Sequence, residues 1–233
     1  MSSDTPKRAD HRADSGADPV AASPSERGNL IVVSAPSGAG KSSLAEQVLK
    51  RVPDVRFSIS YTTRELRGDE QHGVDYYFVS EEEFRAMGER DEFLESAEVH
   101  GNLYGTHEQP VEEMLSQGLD VMLDIDVQGA EQVRRRVPDA ILIFVLPPSR
   151  EILEARLRAR NLNEPADVER RLRNAGIEVQ LYERFDYVVL NDDLDRALAR
   201  LEAIIIAERC RPQRQRNRIE SIITTFGGEP FHA

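Results

Sequence analysis

The spacing of apolar residues along the chain predicts an alternation of short strands and amphipathic helices. Leu30–Ser34 is a β-branched apolar run of strand length, and segment 42–50 repeats apolar residues at helical spacing until Pro53 ends it. The continuous apolar runs 121–126 and Ile141–Leu146 are typical of parallel strands covered on both faces. Helical spacing also fits the segments between and after the strands, and 188–190 forms a last short strand; these helical segments are 108–117, 128–136, 150–160, 165–184 and 193–209.

The segment 55–107 interrupts this alternation. It is rich in Tyr, Thr and Phe, and glycine-containing turns separate its short strand-like runs, which are 55–60, 76–79 and Phe93–Val99. One short helix fits at 81–90. The pattern therefore predicts a doubly wound parallel sheet in a three-layer α/β/α fold, with a small, mainly β insertion.

Composition and charge restrict the cellular compartment and the binding partners that we expect for this protein. The chain has 233 residues, one cysteine (Cys210) and a net charge of −12, and it has no apolar run of the roughly 20 residues that a membrane helix needs. Residues 1–27 are almost free of apolar side chains and resemble neither a secretory signal nor a transit peptide, so a disordered tail is expected. We expect a cytoplasmic protein that binds neither membranes nor nucleic acid.

A glycine-rich loop after the first strand is the strongest chemical signal. Small residues here would let backbone N–H groups and a helix N-terminus surround phosphate oxygens, as in P-loop nucleotide-binding proteins. Lys41 would reach the terminal phosphates, and the Ser42 hydroxyl would bind Mg²⁺. The first position of the motif is Ala35 rather than glycine, which keeps the residue small. The predicted phosphate cradle is Ala35, Pro36, Ser37, Gly38, Ala39, Gly40, Lys41, Ser42 and Ser43.

Two carboxylates end the apolar run 121–126. Asp124 and Asp126 are spaced by two residues, which predicts that they share one face of the strand. The carboxyl end of a strand in an open α/β sheet is where ligands bind, so these residues are candidates for holding Mg²⁺ or orienting substrate. The alternative for Asp126 is an N-cap of the following helix.

The insertion carries the second set of polar groups. Arg64 and Arg67 lie three residues apart beside the Ser60 hydroxyl, and paired guanidinium groups suit a second phosphate. A carboxylate can accept from guanine N1 and N2 while a hydroxyl donates to O6, whereas adenine has the opposite pattern. Further phenol, carboxylate and hydroxyl groups in the insertion are Tyr76, Glu95, Tyr104 and Thr106. The loop alone leaves GTPase, ATPase and small-molecule kinase open, and the insertion favours a kinase.

Several separated strings, in order, closely resemble the guanylate kinase family in its bacterial form. They are SAPSGAGKSS, SISYTTRELRGDEQHGVDYYFVS, EFLESAEVHGNLYGT, LDIDVQGAEQV, FVLPPS and NDDLDRAL. The resemblance runs from about residue 30 to residue 218. It implies transfer of the γ-phosphoryl group of ATP to GMP, giving ADP and GDP in purine nucleotide metabolism and GMP recycling, with Mg²⁺ required. It also makes the insertion the GMP-binding part and implies a helical lid.

The resemblance assigns roles to individual residues. It implies that the GMP phosphate is held by Arg64, Arg67, Tyr76 and Tyr104. The guanine edge would be read by Ser60, Glu95 and Thr106, with Asp126 nearby, while Asp124 would lie beside Mg²⁺ and the phosphates. Lid arginines would close over the ATP phosphates, and Asn191 would help to seat the adenine. These lid arginines are Arg156, Arg160 and Arg171. The residues with an implied catalytic role are Lys41, Arg64, Arg160 and Arg171.

The expected organisation is a tail over residues 1–27 and a guanylate-kinase-like domain over 28–222. Within the domain we expect a core (28–59, 108–152 and 173–209), a GMP-binding insertion at about 60–107, a lid at about 153–172, and a basic C-terminal helix and tail at 210–233. Two alternatives stay open: an inactive binding module of the same family, which the intact cradle disfavours, and a P-loop kinase of a phosphorylated sugar, which the guanine-reading set disfavours. Self-association into a homo-oligomer is also left open.

Overall fold

The computed structural model describes residues 26–99, 101–159 and 165–228, and the structure below refers to these. Its centre is a five-stranded sheet in which every strand pair is parallel. The strand order is β2-β7-β1-β8-β9, so the first strand lies in the middle and the chain winds outward to both edges. The strands are β1 (Leu30–Ser34), β2 (Val55–Phe57), β7 (Asp120–Asp124), β8 (Ile141–Leu146) and β9 (Tyr187–Leu190).

A second sheet of four strands forms between β2 and β7 in the sequence. Its order is β4-β3-β6-β5, and the long strands β5 and β6 pair antiparallel. It packs on a small apolar cluster of Phe84, Met87 and Phe93. The strands are β3 (Tyr61–Thr62), β4 (Tyr77–Phe78), β5 (Phe93–Val99) and β6 (Asn102–His107).

Helices cover both faces of the central sheet. Alternate residues of β1 point to opposite faces: Ile31 and Val33 join a core with α1 and α7, whereas Leu30 and Val32 join one with α3 and α4. The predicted three-layer, doubly wound fold is therefore confirmed. The α-helices are α1 (Lys41–Arg51), α2 (Glu81–Glu89), α3 (Glu108–Ser116), α4 (Val127–Arg136), α5 (Arg150–Ala159), α6 (Pro165–Glu178), α7 (Leu194–Arg209) and α8 (Arg216–Thr225), and 3₁₀ helices cover Val179–Arg184 and Pro212–Arg214. None of these helices is both long and apolar enough to cross a membrane.

The structure differs from the predicted elements in several places. The run 55–60 is not one strand of the insertion, because Val55–Phe57 pairs with β7 in the central sheet and the next strand starts only at Tyr61. The helix expected over 165–184 ends at Glu178 and continues as a 3₁₀ helix. Strand β6 was not predicted at all, because its mixture of polar residues and glycine has weak strand propensity and is stabilised by pairing with β5.

Candidate functional site

The loop between β1 and α1 is wound tightly by two glycines. Gly38 and Gly40 have φ angles of 92° and 95°, in the left-handed region that disfavours other residues. Ala39 N donates to Pro36 O at 3.0 Å, which closes a turn, and α1 begins at Lys41 directly after it. The first N–H groups of α1 therefore lie at the mouth of this loop, which is the arrangement that binds phosphate oxygens.

The buried side chain of Asn191 and the half-buried side chain of Arg156 hold the loop from behind. The Asn191 amide donates to Ala39 O at 2.7 Å. Arg156 Nη1 donates to the same carbonyl at 3.2 Å, and its Nη2 donates to Asn191 O at 2.9 Å. A side chain at Gly40 would collide with the Asn191 amide, so glycine is required here by space as well as by conformation. In this structure, the Arg156 guanidinium thus binds backbone carbonyls of the loop and of the strand end after β9.

Lys41 and Ser42 meet the carboxyl end of β7. Lys41 Nζ donates to Ile125 O at 2.8 Å and forms an ion pair with Asp124 Oδ1. Ser42 Oγ donates to Asp124 Oδ2 at 3.1 Å. One carboxylate thus contacts the ammonium group and the hydroxyl group that the sequence assigns to phosphate and to metal.

A cleft of about 480 Å³ opens beside this cluster. Arg171 crosses it from α6, and its Nη1 donates to Ser37 Oγ at 3.1 Å. Arg171 Nε is buried without a hydrogen-bond partner, so its donor capacity is only partly used. The polar residues lining the cleft that the sequence did not single out are Glu98, Gln128, Arg170, Asn174 and Glu178.

Arg64 and Arg67 are joined by a carboxylate that was not predicted. Glu70 Oε1 accepts from Arg64 Nη2 at 2.7 Å, and its Oε2 accepts from the Arg67 backbone N–H at 2.9 Å. The hydrogen bond to Arg64 lowers the pKa of Glu70 and raises that of the guanidinium. Arg64 is buried and Arg67 is exposed. The only sequence signal for Glu70 is its spacing of three and six residues from the two arginines.

Aromatic rings surround Arg64 on the insertion. The guanidinium carbon lies 5.3 Å from the ring centre of Tyr76 and 5.7 Å from that of Phe78. Tyr104 packs edge-on against Tyr76, with ring centres 6.0 Å apart. Burial, followed by the neighbouring Tyr104, raises the pKa of the Tyr76 phenol, so this phenol is a protonated donor at neutral pH. The predicted phosphate-binding set therefore comes together, with Arg67 at its exposed edge.

Glu95 and Thr106 face each other across β5 and β6. They are register partners, and Thr106 Oγ1 donates to Glu95 Oε1 at 2.7 Å. Glu95 is only 5% exposed, and this burial raises its pKa to about 7 despite the hydrogen bond from Thr106, which lowers it. Asp126 raises this pKa further and Lys41 lowers it, so the carboxylate senses both neighbours in the central domain.

Asp126 does not share the strand with Asp124 as predicted. Strand β7 ends at Asp124, and the chain turns so that Asp126 becomes the N-cap of α4, where its Oδ1 accepts from Gly129 N at 2.8 Å. The alternative interpretation as a helix cap is confirmed. The half-buried carboxylate accepts from one of the first N–H groups of α4, which have no partner within the helix.

The remaining predicted residues occupy varied positions. Ala35 is buried under the loop, Ser43 is exposed on the first turn of α1, and half-buried Ser60 precedes β3. Arg160 lies outside the described residues.

Glu178, which the sequence did not single out, ends α6 at the cleft. Burial, and to a smaller extent the neighbouring Asp126, raises the pKa of its carboxyl group. Nothing in its sequence context separates it from the other charged residues of that helix.

The donor set at Asp124 suits a magnesium ion. Among the residues described, no group of three or more His, Cys, Asp or Glu side chains could hold a metal alone. One carboxylate and the Ser42 hydroxyl leave most positions for phosphate oxygens and water, and Mg²⁺ in nucleotide sites prefers such a shell.

Comparisons with known proteins give one consistent result. The family model described as guanylate kinase matches residues 27–208. The guanylate kinase of Koribacter versatilis is 52% identical over 187 residues, covering 79% of this chain and 80% of the relative. That of Escherichia coli K12 is 48% identical over 200 residues, covering 85% and 97%. The crystal structure of guanylate kinase from Anaplasma phagocytophilum has a TM-score of 0.72 at 32% identity, covering 90% of this chain and 99% of the other.

Proposed function

The chain belongs to the guanylate kinase family, and we propose that its ATP:GMP phosphotransferase reaction takes place in the cleft between the β1–α1 loop and the four-stranded sheet. The γ-phosphoryl group of ATP passes to a phosphate oxygen of GMP, so a new P–O bond forms in GDP as the bond to ADP breaks.

The loop and α1 bind the donor. Backbone N–H groups at the start of α1 bind phosphate oxygens, and Lys41 neutralises charge on the transferred group. Two observations support this role for Lys41. Its side chain lines the cleft, and its contacts with Ile125 O and Asp124 fix the position of the ammonium group. Asn191 and Arg156 both donate to Ala39 O and so keep this loop carbonyl turned away from the phosphates. Asn191 also borders the adenine.

The insertion binds the acceptor phosphate. Arg64, with Tyr76 and Tyr104 beside it, supplies donors inside a half-buried pocket, and Arg67 adds a second guanidinium at the edge. These groups bind GMP oxygens and hold one of them in line with the γ-phosphorus. Because phosphoryl transfer needs positioning and charge neutralisation more than a strong base, this assignment requires no general base.

The guanine base is read by Glu95 and Thr106. An ionised Glu95 accepts from guanine N1 and N2, and the Ser60 hydroxyl donates to O6. Thr106 donates its hydroxyl proton to Glu95 and so holds this carboxylate at the guanine edge, with Asp126 nearby. The buried carboxylate of Glu95, held by one hydrogen bond, is the single observation that carries the choice of guanine. A kinase of a phosphorylated sugar has no use for such a group.

Ser42 and Asp124 would hold Mg²⁺, which supplies charge neutralisation at the β- and γ-phosphates when bound. Arg171 belongs to the proposed lid, at about 153–172, and lies at the cleft that would receive these phosphates, and the family resemblance implies the same role for Arg160. Closure of the lid and the insertion excludes water, so that ATP is not hydrolysed in place of transfer. The net charge of −12 disfavours nucleic-acid partners, and we assign the enzyme to cytoplasmic purine metabolism and GMP recycling.

Product identification tests this function. The protein is incubated with ATP, Mg²⁺ and one of GMP, AMP, CMP or UMP, and the nucleotides are separated by anion exchange. We expect ADP and GDP in equal amounts with GMP, and little ADP with the other acceptors or with water alone. Transfer to all four acceptors would retain the kinase but reject the guanine site. GMP binding without ADP formation would instead indicate the inactive binding module.

A further inference from the structure

Gly129 lies where helix α4 meets the guanine-reading carboxylate. It is the third residue of α4, it is buried, and its N–H donates to the Asp126 cap. A Cβ at Gly129 would stand 2.7 Å from Glu95 Oε2, 3.3 Å from Glu95 Cδ and 3.3 Å from Ile125 Cδ1. Real Cβ atoms essentially never come as close to another heavy atom as the first of these distances. The Glu95 carboxylate therefore occupies space that every residue other than glycine would fill.

Glu95 has little freedom to move aside. Its side chain is 5% exposed, its Oε1 is held by Thr106 at 2.7 Å, and its backbone is fixed by pairing of β5 with β6. Any added atom at Gly129 must push the Oε2 side of the carboxylate, because the Oε1 side is tied.

The backbone gives no reason for glycine at this position. Gly129 is not among the described glycines with a left-handed φ angle, and it lies inside a helix, where alanine is the better helix former. Its use here is explained by the space that Glu95 takes.

We propose that Gly129 is a specificity-determining position, at which the missing side chain lets both oxygens of Glu95 face guanine. The inference rests on the proposed base-reading role of Glu95. Guanine N1 and the 2-amino group require two acceptor oxygens in one plane, and a carboxylate displaced on one side keeps only one of the two hydrogen bonds. The first turn of α4 thus determines the orientation of the Glu95 carboxylate, which lies on strand β5 of the four-stranded sheet.

The test compares G129A with G88A. Gly88 is also inside a helix, α2, and a Cβ there meets nothing within 4 Å, so G88A makes the same chemical change without the contact. Each variant is assayed with GMP and with IMP, whose base retains N1–H but has no 2-amino group. We expect G129A to lower the GMP-to-IMP ratio of kcat/KM about tenfold, since one charge-assisted hydrogen bond is lost. The KM for ATP should not change, and G88A should match the wild type in its kinetic constants for all three substrates.

E95Q separates failure of the inference from failure of the proposed function. If E95Q lowers the GMP-to-IMP ratio and G129A does not, the role of Gly129 is rejected and that of Glu95 stands. If neither variant changes the ratio, Glu95 does not read the base and both are rejected. Equal losses by G129A for GMP, IMP and ATP would also overturn the inference, because they indicate general damage.

The double variant E95D/G129A covers the case in which G129A folds poorly. Asp is shorter than Glu by one methylene, which withdraws the carboxylate from an alanine Cβ. If the contact is the cause, the double variant should be more stable than G129A, and the effects of the two changes should not add. Additive effects on melting temperature and on the GMP-to-IMP ratio would contradict the inference.

Discussion

The donor and acceptor regions of the cleft hold their cations in different ways. Lys41 is fixed by Ile125 O and Asp124, which are more than 80 residues away in the sequence at the end of a central strand. Arg64 is fixed by Glu70, six residues away, and by the rings of Tyr76 and Phe78. The donor cation is thus positioned by the tertiary packing of the main core, whereas the acceptor cation is positioned by its own loop and sheet.

This difference implies that the two regions are energetically separable. The acceptor sheet rests on a cluster of three buried residues, Phe84, Met87 and Phe93, whereas much larger clusters cover both faces of the central sheet. The smaller sheet buries less apolar surface and is expected to open locally at lower cost than the core. The acceptor residues of this sheet are expected to move together as it opens; they are Arg64, Tyr76, Tyr104 and Glu95.

The largest effect is expected from Lys41 in the donor region. K41A should lower kcat by about 10²–10³-fold, because a preorganised positive charge on the transferred phosphoryl group is lost. The rate of ADP formation at saturating ATP and GMP measures this effect. K50A is the matched control, because Lys50 lies on the same helix and forms only an exposed ion pair with Glu46. An unchanged kcat in K41A would remove the cradle assignment.

In the acceptor region, R64A should act mainly on GMP. Loss of charge-assisted hydrogen bonds predicts an increase of about 10- to 100-fold in the KM for GMP, with the KM for ATP nearly constant. Steady-state kinetics with each substrate varied in turn gives both constants. R85A is the control, since Arg85 lies on α2 in an exposed ion pair with Glu81. Equal increases for both substrates would break the separation of the two regions.

A pH profile tests the Glu95 carboxylate without any substitution. Burial raises its pKa to about 7, so the ionised form that accepts from guanine is lost as the pH falls through that value. For GMP, kcat/KM should therefore fall about tenfold between pH 8 and pH 6. The same shift makes the folded state bind the proton more tightly, so the contribution of Glu95 to folding stability decreases as the pH rises from about 4.5 to about 7.

The GMP phosphate titrates near pH 6 and must be separated from this effect. E95Q supplies the correction, since its profile contains the substrate ionisation alone. Profiles of identical shape in wild type and E95Q would show that Glu95 does not titrate in this range.

Glu70 should have a smaller effect than Arg64. E70Q keeps an acceptor for the Arg67 N–H but removes the charge that orients Arg64, and a charge-assisted hydrogen bond is roughly twice as strong as a neutral one. We expect an increase of about fivefold in the KM for GMP and no change in kcat. E65Q, at an exposed position of the same loop, should behave as wild type. If E70Q alters kcat but not KM, Glu70 does not act through the position of Arg64.

The smallest effect concerns helix α4, which links the two regions. D126A removes the N-cap and should lower the stability by about 1 kcal/mol, or about 2–4 °C in melting temperature. D126S retains a capping oxygen and should restore most of that loss. Thermal denaturation measures both variants, and equal melting temperatures for D126A and D126S would show that the cap contributes nothing.

The sequence predicts the donor region better than the acceptor region, for the same physical reason. The loop, Lys41 and Ser42 are contiguous, and the flanking strand and helix follow from periodicity. Asp126 was ambiguous, because a carboxylate two residues past Asp124 fits a strand face as well as a helix cap. On the acceptor side, β6 and the Glu70 bridge depend on pairing between short segments of weak propensity. The close approach of Gly129 to Glu95 brings together helix α4 of the core and strand β5 of the insertion, and no local sequence pattern predicts it.

The separation of the two regions is tested most directly by calorimetric titration of GMP into wild type, K41A and R64A without ATP. The Lys41 charge lowers the pKa of Glu95, so its loss in K41A would favour protonation of that carboxylate. A pH of about 8.5 keeps Glu95 ionised in all three proteins. We predict that K41A binds GMP within about threefold of wild type, while R64A loses about 10- to 100-fold. If K41A loses as much GMP affinity as R64A, the two regions form a single site and are not energetically separable.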